Sequence, residues 1–247
     1  MDPHGHRVAA VLAVPSEPTT RLAVLCHGFL SGKNSTTNKT LTRLLLDRGI
    51  ATFRFDFFGQ GESEGPFDAL TTTLAVDQTL AALDFVSQKG FQRIGLVGSS
   101  FGGLVAILTA ARRTDLACFA LKCPVVDFAE ELRLEFGDAE MAAWKATGTI
   151  PNIMGGTERI ALRYAFYEDS LRQIAYDPAR SIAAPTLIVQ GDRDEHVPLH
   201  QSRRLYDALQ GTKRLEMMAG ADHQFTKGAD FTRMTNLIAD WLIAHMA

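Results

Sequence analysis

The chain has 247 residues, of which 46% are hydrophobic and 21% are charged, and its formal net charge is −3. This length suits one domain with a sizeable core, and the charge balance lacks the basic footprint of a nucleic-acid-binding protein. The three cysteines do not form a disulfide framework, which indicates reduced thiols in a cytoplasmic setting.

The N-terminal segment does not have the features of a targeting sequence. It has no extended apolar region before a small-residue cleavage site, so we predict no secretory signal. The apolar stretch Val8–Val14 is too short to span a bilayer and fits a strand better. We therefore expect a cytoplasmic protein without membrane insertion.

Short apolar runs alternate with longer amphipathic stretches along the chain. The predicted strands cover residues 7–14, 22–26, 51–55, 94–97, 118–121, 186–189 and 214–218. The predicted helices cover residues 37–48, 72–89, 101–113, 199–209 and 231–245. Apolar runs that lack clean alternation and are separated by helices are typical of buried parallel strands. We therefore predict an α/β fold whose mainly parallel sheet carries helices on both faces.

One interval breaks this alternation. About sixty residues separate the strands at 118–121 and 186–189, which is more than one crossover helix needs. The interval contains the acidic, amphipathic stretch Asp127–Ala143, the pair Gly155-Gly156 and the aromatic-bearing stretch Thr157–Ser170. We predict that residues 125–181 form an inserted cap over the C-terminal edge of the sheet. Residues 1–124 and 182–247 then form the core.

The segment Gly98-Ser99-Ser100-Phe101-Gly102 matches the pattern G-x-S-x-G. It follows a predicted strand and precedes an apolar helix, the context in which a tight turn exposes a nucleophilic serine at the sheet edge. Ser100 is the predicted nucleophile, because only Ser100, and not the adjacent Ser99, has glycines two residues before and two residues after it. The following helix N-terminus adds positive partial charge there.

A serine hydroxyl needs an adjacent base at neutral pH. His223 lies in the turn between the last predicted strand and the last helix, so it leaves the same edge of the sheet as Ser100. Asp192 and Asp194 both follow the strand at 186–189, and either carboxylate has a position from which it can orient the histidine. We favour Asp194, with Asp192 as the alternative. His196 and His200 have helical spacing but lack a further ligand motif, so no metal site is predicted.

Acyl transfer also needs two backbone N–H donors for the developing oxyanion. One is predicted at Phe101, directly after the nucleophile. The other is predicted at Phe29, in the loop after the strand at 22–26, where His27 is expected to brace the loop.

Together these motifs resemble the α/β-hydrolase superfamily of serine hydrolases. The residues that carry the resemblance are 27–29, 54–63, 98–103, 191–194 and 222–223, so it extends over most of the chain. The pattern R-x-D-x-x-G-x-G-x-S at 54–63 and the size of the insertion are most similar to bacterial cinnamoyl and feruloyl esterases and related carboxylesterases. Relatives often begin with an antiparallel hairpin, whereas only one strand is available here. Phe101 replaces a polar residue common in the feruloyl esterases, which predicts a more apolar acyl site.

The resemblance implies hydrolysis of small or medium acyl or aryl esters, including the feruloyl and cinnamoyl type, through an acyl-enzyme. It implies no metal and no organic cofactor. A thioesterase, an amidase or peptidase, or a carbon–carbon bond hydrolase on the same triad is the alternative, and a non-catalytic ligand receptor is a more remote one. The expected partner is a small-molecule ester, and homodimer formation is left open.

Overall fold

The centre of the molecule is a seven-stranded sheet, seen in a computed structural model that describes residues 1–153 and 160–247. Its strands are β1 (Ala10–Ala13), β2 (Arg21–Cys26), β3 (Ala51–Phe55), β4 (Arg93–Ser99), β5 (Cys118–Lys122), β8 (Thr186–Gly191) and β9 (Lys213–Met218). Their spatial order is β1-β3-β2-β4-β5-β8-β9. Only β1 runs antiparallel to its neighbour, and all other pairs are parallel. The predicted α/β fold with a mainly parallel sheet is confirmed.

Helices cover both faces of this sheet. They are α1 (Thr36–Leu46), α2 (Thr72–Gln88), α3 (Phe101–Ala110), α4 (Phe128–Thr147), α5 (Ala165–Ser170), α6 (Tyr176–Ala179), α7 (Leu199–Ala208) and α8 (Gly228–His245). Buried residues of α1 and α8 share one apolar core with β5, and those of α2, α3 and α7 share a second core with β3. Two cores on opposite faces explain why the central strands lack an apolar–polar alternation.

The connection from β3 to β4 crosses over β2, so β3 and β4 lie on opposite sides of that strand. This reversal makes the C-terminal ends of β2 and β4 the topological switch point of the sheet. In open α/β sheets, ligands bind in the crevice outside such a point. Ser100 follows β4, and the loop that contains Phe29 follows β2.

The segment between β5 and β8 contains α4, α5, α6 and a small hairpin of β6 (Thr149–Ile150) and β7 (Leu162–Arg163). Asp127 caps α4 by accepting a hydrogen bond from the Glu130 N–H, and Gly137 interrupts the helix with a φ of 67°. The Asp169 carboxylate fastens α5 to the start of α2, through 2.8 Å and 2.7 Å hydrogen bonds from the Thr73 N–H and hydroxyl. Gly155-Gly156 and the start of Thr157–Ser170 lie outside the described residues.

Asp56 organises the loop that carries the R-x-D-x-x-G-x-G-x-S pattern. Its buried carboxylate accepts hydrogen bonds from the Lys33 N–H and ammonium, both at 2.5 Å, and from the Glu62 N–H at 2.9 Å. The Ser63 hydroxyl donates to the Asp56 carbonyl oxygen. A Cβ at Gly61, which has a φ of 55°, would lie 2.4 Å from this carboxylate. The pattern therefore encodes a tightly packed ion pair in the loop after β3.

None of the helices in the described part of the chain has the length and apolarity needed to cross a membrane.

Replacing Asp56 with Ala is expected to lower the free energy of unfolding by about 3–5 kcal/mol, because the buried Lys33 ammonium loses its buried partner and keeps only an exposed one. Glu62→Ala is the matched control. The Glu62 side chain also pairs with Lys33 but is 75% exposed, so its loss is expected to cost less than about 1 kcal/mol. Urea denaturation of both variants checks the difference, and equal losses would contradict this account.

Candidate active site

Ser100 lies in a strained turn between β4 and α3. Its backbone has a φ of 52° and a ψ of −119°, a left-handed conformation that costs a non-glycine residue about 1–3 kcal/mol. Hydrogen bonds hold it there: the Ser100 N–H donates to the Lys122 carbonyl oxygen at 2.9 Å, and its own carbonyl accepts from the Gly103 N–H at 2.7 Å. The turn therefore fixes the direction of the Ser100 side chain.

Close backbone contacts explain the glycines on both sides of Ser100. A Cβ at Gly98 would lie 2.4 Å from the Gly102 carbonyl oxygen, and one at Gly102 would lie 2.3 Å from the His27 carbonyl oxygen. Either side chain would force the strand, the helix or the loop after β2 to move. The pattern G-x-S-x-G is thus required by packing between three elements.

His223 and Asp194 form a buried pair at the neighbouring strand ends. The His223 Nδ1 lies 2.8 Å and 2.9 Å from the two carboxylate oxygens of Asp194. The ionised carboxylate can only accept, so Nδ1 carries the proton and Nε2 is left as a proton acceptor. His223 follows β9 and Asp194 follows β8, so the parallel topology brings the two residues together.

Asp192 is engaged elsewhere. Its carboxylate accepts a 2.6 Å hydrogen bond from the Gly220 N–H in the turn after β9. Of the two candidate acids, Asp194 is therefore the one that bonds to the His223 ring.

Several groups keep Asp194 ionised. Burial raises the pKa of this carboxyl. Hydrogen bonds from His223 and from the Val197 and His196 N–H groups lower the pKa by more than burial raises it, and the result is a pKa of about 2. The Gln190 amide donates another hydrogen bond to Asp194 at 2.7 Å and is itself held by the Ser202 hydroxyl. Burial lowers the pKa of His223 below its usual 6.5, although Asp194 acts in the opposite direction.

Sequence reasoning did not identify the groups that surround the histidine. The Glu195 carboxylate accepts the His223 N–H at 3.1 Å, and the His196 ring packs edge-on against the His223 ring with 5.1 Å between centroids. Both residues directly follow Asp194 in the chain, so adjacency to the candidate acid is the only sequence signal they carry.

The loop after β2 approaches the nucleophile closely. A Cβ at Gly28 would lie 3.5 Å from the Ser100 Cβ. His27 braces this loop, because its Nε2 accepts the Phe57 N–H and its Nδ1 bonds to the Gly28 carbonyl oxygen. Burial lowers the pKa of His27 to about 4, so the ring is neutral.

The two backbone N–H groups predicted for the oxyanion are those of Phe29 and Phe101. Phe101 is the first residue of α3, and the N–H groups of a first helical turn have no partner within the helix. Within the described part of the chain, neither N–H has an acceptor. The Phe101 ring itself does not contribute to an apolar acyl site. It is fully buried and packs against Phe29, Phe57, Phe128 and Phe166.

A cavity of about 530 Å³ opens above these residues. Ser100, His223 and Phe29 line it, together with Phe128, Leu132 and Ile153 from the segment between β5 and β8. A space of this size is typical of small-molecule sites.

Two buried charged residues in the cavity wall were not identified from the sequence. Lys122, the last residue of β5, is 4% exposed, and Glu131, on α4, is 9% exposed. Burial raises the pKa of Glu131 well above its usual value, and its Oε2 has no hydrogen-bond partner among residues 1–153 and 160–247. A charged residue at the end of an otherwise apolar strand is the signal that singles out Lys122.

Cys123 lies beside the Asp194–His223 pair, and these three residue types can all bind metal ions. Its Sγ and the ligand atoms of Asp194 and His223 lie within 4.8 Å of one another. Burial raises the pKa of the Cys123 thiol, which therefore stays protonated rather than forming the thiolate that binds metals. Since Asp194 and His223 are hydrogen-bonded to each other, this group fits a proton-transfer pair better than a metal centre.

The chain is similar to several known proteins over most of its length. It is 27% identical to an uncharacterized 31.7 kDa protein from the traX-finO intergenic region of Escherichia coli, over 91% of both chains. It is 24% identical to the mitochondrial palmitoyl-protein thioesterase ABHD10 of Pongo abelii, over 88% of this chain and 71% of that one.

Among solved structures, the fold is similar to that of Est1E from Butyrivibrio proteoclasticus with bound ferulic acid. The TM-score is 0.85 at 24% identity, over 99% of this chain and 97% of the other. The model of the alpha/beta hydrolase family matches residues 23–230, a range that contains the strained serine and the Asp194–His223 pair. With this fold and this match, the chain belongs to the alpha/beta hydrolase family.

Proposed function

We propose that the chain is a serine carboxylesterase that cleaves small or medium acyl or aryl esters through an acyl-enzyme. The observation that carries this proposal is that Ser100, in its strained turn, and His223, which is bonded to the buried Asp194, line one cavity. The remaining groups of the site fit the same reaction.

The first half of the reaction forms the acyl-enzyme. The Ser100 Oγ attacks the ester carbonyl carbon while the His223 Nε2 takes the hydroxyl proton. Asp194 stabilises the imidazolium that results, and the Phe29 and Phe101 N–H groups donate to the oxyanion of the tetrahedral intermediate. Collapse of this intermediate breaks the bond to the alcohol, which leaves with the proton from His223.

The second half reverses these roles with water. His223 removes a proton from a water molecule, which attacks the acyl carbon, and the same two N–H groups stabilise the second oxyanion. The proton then returns to the Ser100 Oγ as the acid product leaves. Every proton transfer passes through one imidazole, whose neutral form begins each half-reaction.

Residues 125–181 are proposed as the cap that determines which esters bind. This role is supported by Phe128, Leu132 and Ile153, which give the cavity an apolar wall. Esters of the feruloyl and cinnamoyl type are within the proposed range, since the structurally similar Est1E binds ferulic acid.

A thioesterase is the second candidate. The similarity to the palmitoyl-protein thioesterase ABHD10 favours it, and the same nucleophile and oxyanion donors serve a thioester carbonyl.

Ser100→Ala is expected to lower kcat/KM for p-nitrophenyl acetate and butyrate by roughly 10⁵-fold or more, because no other group can form the acyl-enzyme. Ser99→Ala, the matched control, is expected to retain activity within about tenfold, since Ser99 has no place in the proton-transfer pair. Parallel assays with an acyl-CoA separate the two candidates. Preference for the acyl-CoA would favour the thioesterase, and turnover that survives Ser100→Ala would contradict both.

Asp194→Asn is expected to reduce kcat by roughly 10⁴-fold, because an amide can hold the imidazole in the wrong tautomer. Asp192→Asn is the matched control, because it makes the same substitution two residues away. Asp192 only accepts a hydrogen bond in a turn, so this variant is expected to change the activity little. Steady-state kinetics of both variants test the assignment. The reverse order of effects would identify Asp192 as the acid.

The activity is expected to depend on a neutral His223. Because burial lowers the pKa of this group below 6.5, kcat/KM should rise with pH through an apparent pKa below 6.5 and then stay level toward neutral pH. A pH series at constant ionic strength with an uncharged ester measures this limb. An apparent pKa clearly above 6.5 would contradict the buried, neutral state of the base.

A further inference from the structure

The Lys122 side chain is buried in the cavity wall, and its ammonium group faces no carboxylate at hydrogen-bond distance in the part of the chain that the structure describes. The residue is 4% exposed, and its Nζ lies 5.5 Å from the ring centroid of Phe225, which lines the same cavity. Among the described residues, no acceptor lies within hydrogen-bond distance of Nζ. Burial of an ammonium group without a partner is unfavourable, and it lowers the pKa of Lys122 below its usual value. An anion that binds beside Nζ would reverse this effect and stabilise the charged form.

The carboxylates near Lys122 are committed to other donors. Asp194, Asp222 and Glu195 act on the ammonium only through longer-range electrostatics. Asp194 holds His223, Asp222 accepts the N–H and the hydroxyl of Thr226, and Glu195 accepts the His223 N–H. The charge of Lys122 is therefore left for a group that enters the cavity.

Other features of the core wall favour the same kind of ligand. The first residues of α1, Thr36 and Thr37, and its cap Ser35 line the cavity, as does Gly228 at the start of α8. Helix N-termini carry positive partial charge and free N–H groups, which bind anions. The α4 wall carries the exposed Glu135 beside its apolar residues, so an anion is favoured on the core wall rather than beneath α4.

We propose that Lys122 recognises a carboxylate or phosphate group carried by the substrate, and that the enzyme prefers anionic esters over their neutral counterparts. The inference rests on the proposed esterase function and names a substrate class for that site. Lys122 forms a charge-assisted hydrogen bond to the anion while the ester carbonyl lies at Ser100.

Matched substrates test this preference. One pair is mono-p-nitrophenyl glutarate and its methyl-capped diester, with the charge on the acyl side. The other is p-acetoxybenzoate and its methyl ester, with the charge on the alcohol side. In the wild type, kcat/KM is expected to be about tenfold or more higher for the free acid than for the capped form in at least one pair, the range of one charge-assisted hydrogen bond.

Lys122→Met removes the charge and keeps the chain length, and it is expected to lower that ratio about tenfold. Lys122→Arg should keep most of the ratio. Lys39→Met, which removes an exposed lysine on α1 outside the cavity wall, should leave it unchanged. A lysine with a merely structural role would lower both members of a pair equally, so an unchanged ratio in Lys122→Met overturns the proposal.

Two measurements on the wild type test the proposal if Lys122→Met does not fold. Inorganic phosphate is expected to inhibit turnover of the capped esters competitively, and absence of inhibition overturns the proposal. A wild-type preference for the capped form in both substrate pairs also overturns it. Failure of the proposed esterase function would look different from failure of this proposal, because neither the charged nor the capped esters would then be turned over in a Ser100-dependent way.

Discussion

The site depends on the left-handed turn at Ser100, which exists only because three elements approach it closely. The end of β4, the start of α3 and the loop after β2 meet at Gly98 and Gly102, where a side chain has no room. The strain of about 1–3 kcal/mol is offset by hydrogen bonds to Lys122 and Gly103 and by the packing of α3. Because this geometry is imposed by the core, the directions of the Ser100 side chain and of the N–H groups proposed as oxyanion donors are set before any substrate binds.

The parallel sheet brings the other two residues of the proposed triad together. His223 and Asp194 follow adjacent strands, and their pairing is reinforced by Gln190 and by backbone N–H groups after β8. These donors keep the carboxylate ionised inside a buried environment, and the carboxylate in turn fixes the imidazole tautomer. Preorganised polar groups of this kind are the largest source of electrostatic stabilisation available to an enzyme.

Much of the fold could be predicted from the sequence, because buried parallel strands and apolar helices leave strong local patterns. All seven predicted strands of the sheet are present, although β1 is shorter and β4 extends to Ser99. The residues of the candidate site follow strand ends, which local patterns also mark. Lys122 and Glu131 could not be predicted as cavity residues, since their burial depends on contacts between distant segments. The Phe101 ring was assigned to the acyl site for the same reason, whereas it packs in the aromatic core.

The identity of the nucleophile is the central claim, and a fluorophosphonate probe tests it directly. Such a reagent reacts with a serine only where a base and an oxyanion site activate it. Peptide mapping by mass spectrometry after labelling of the folded protein should find one adduct, on Ser100, and labelling should be lost after denaturation. An adduct on Ser99 or on another residue, or no adduct on the folded protein, would contradict this account.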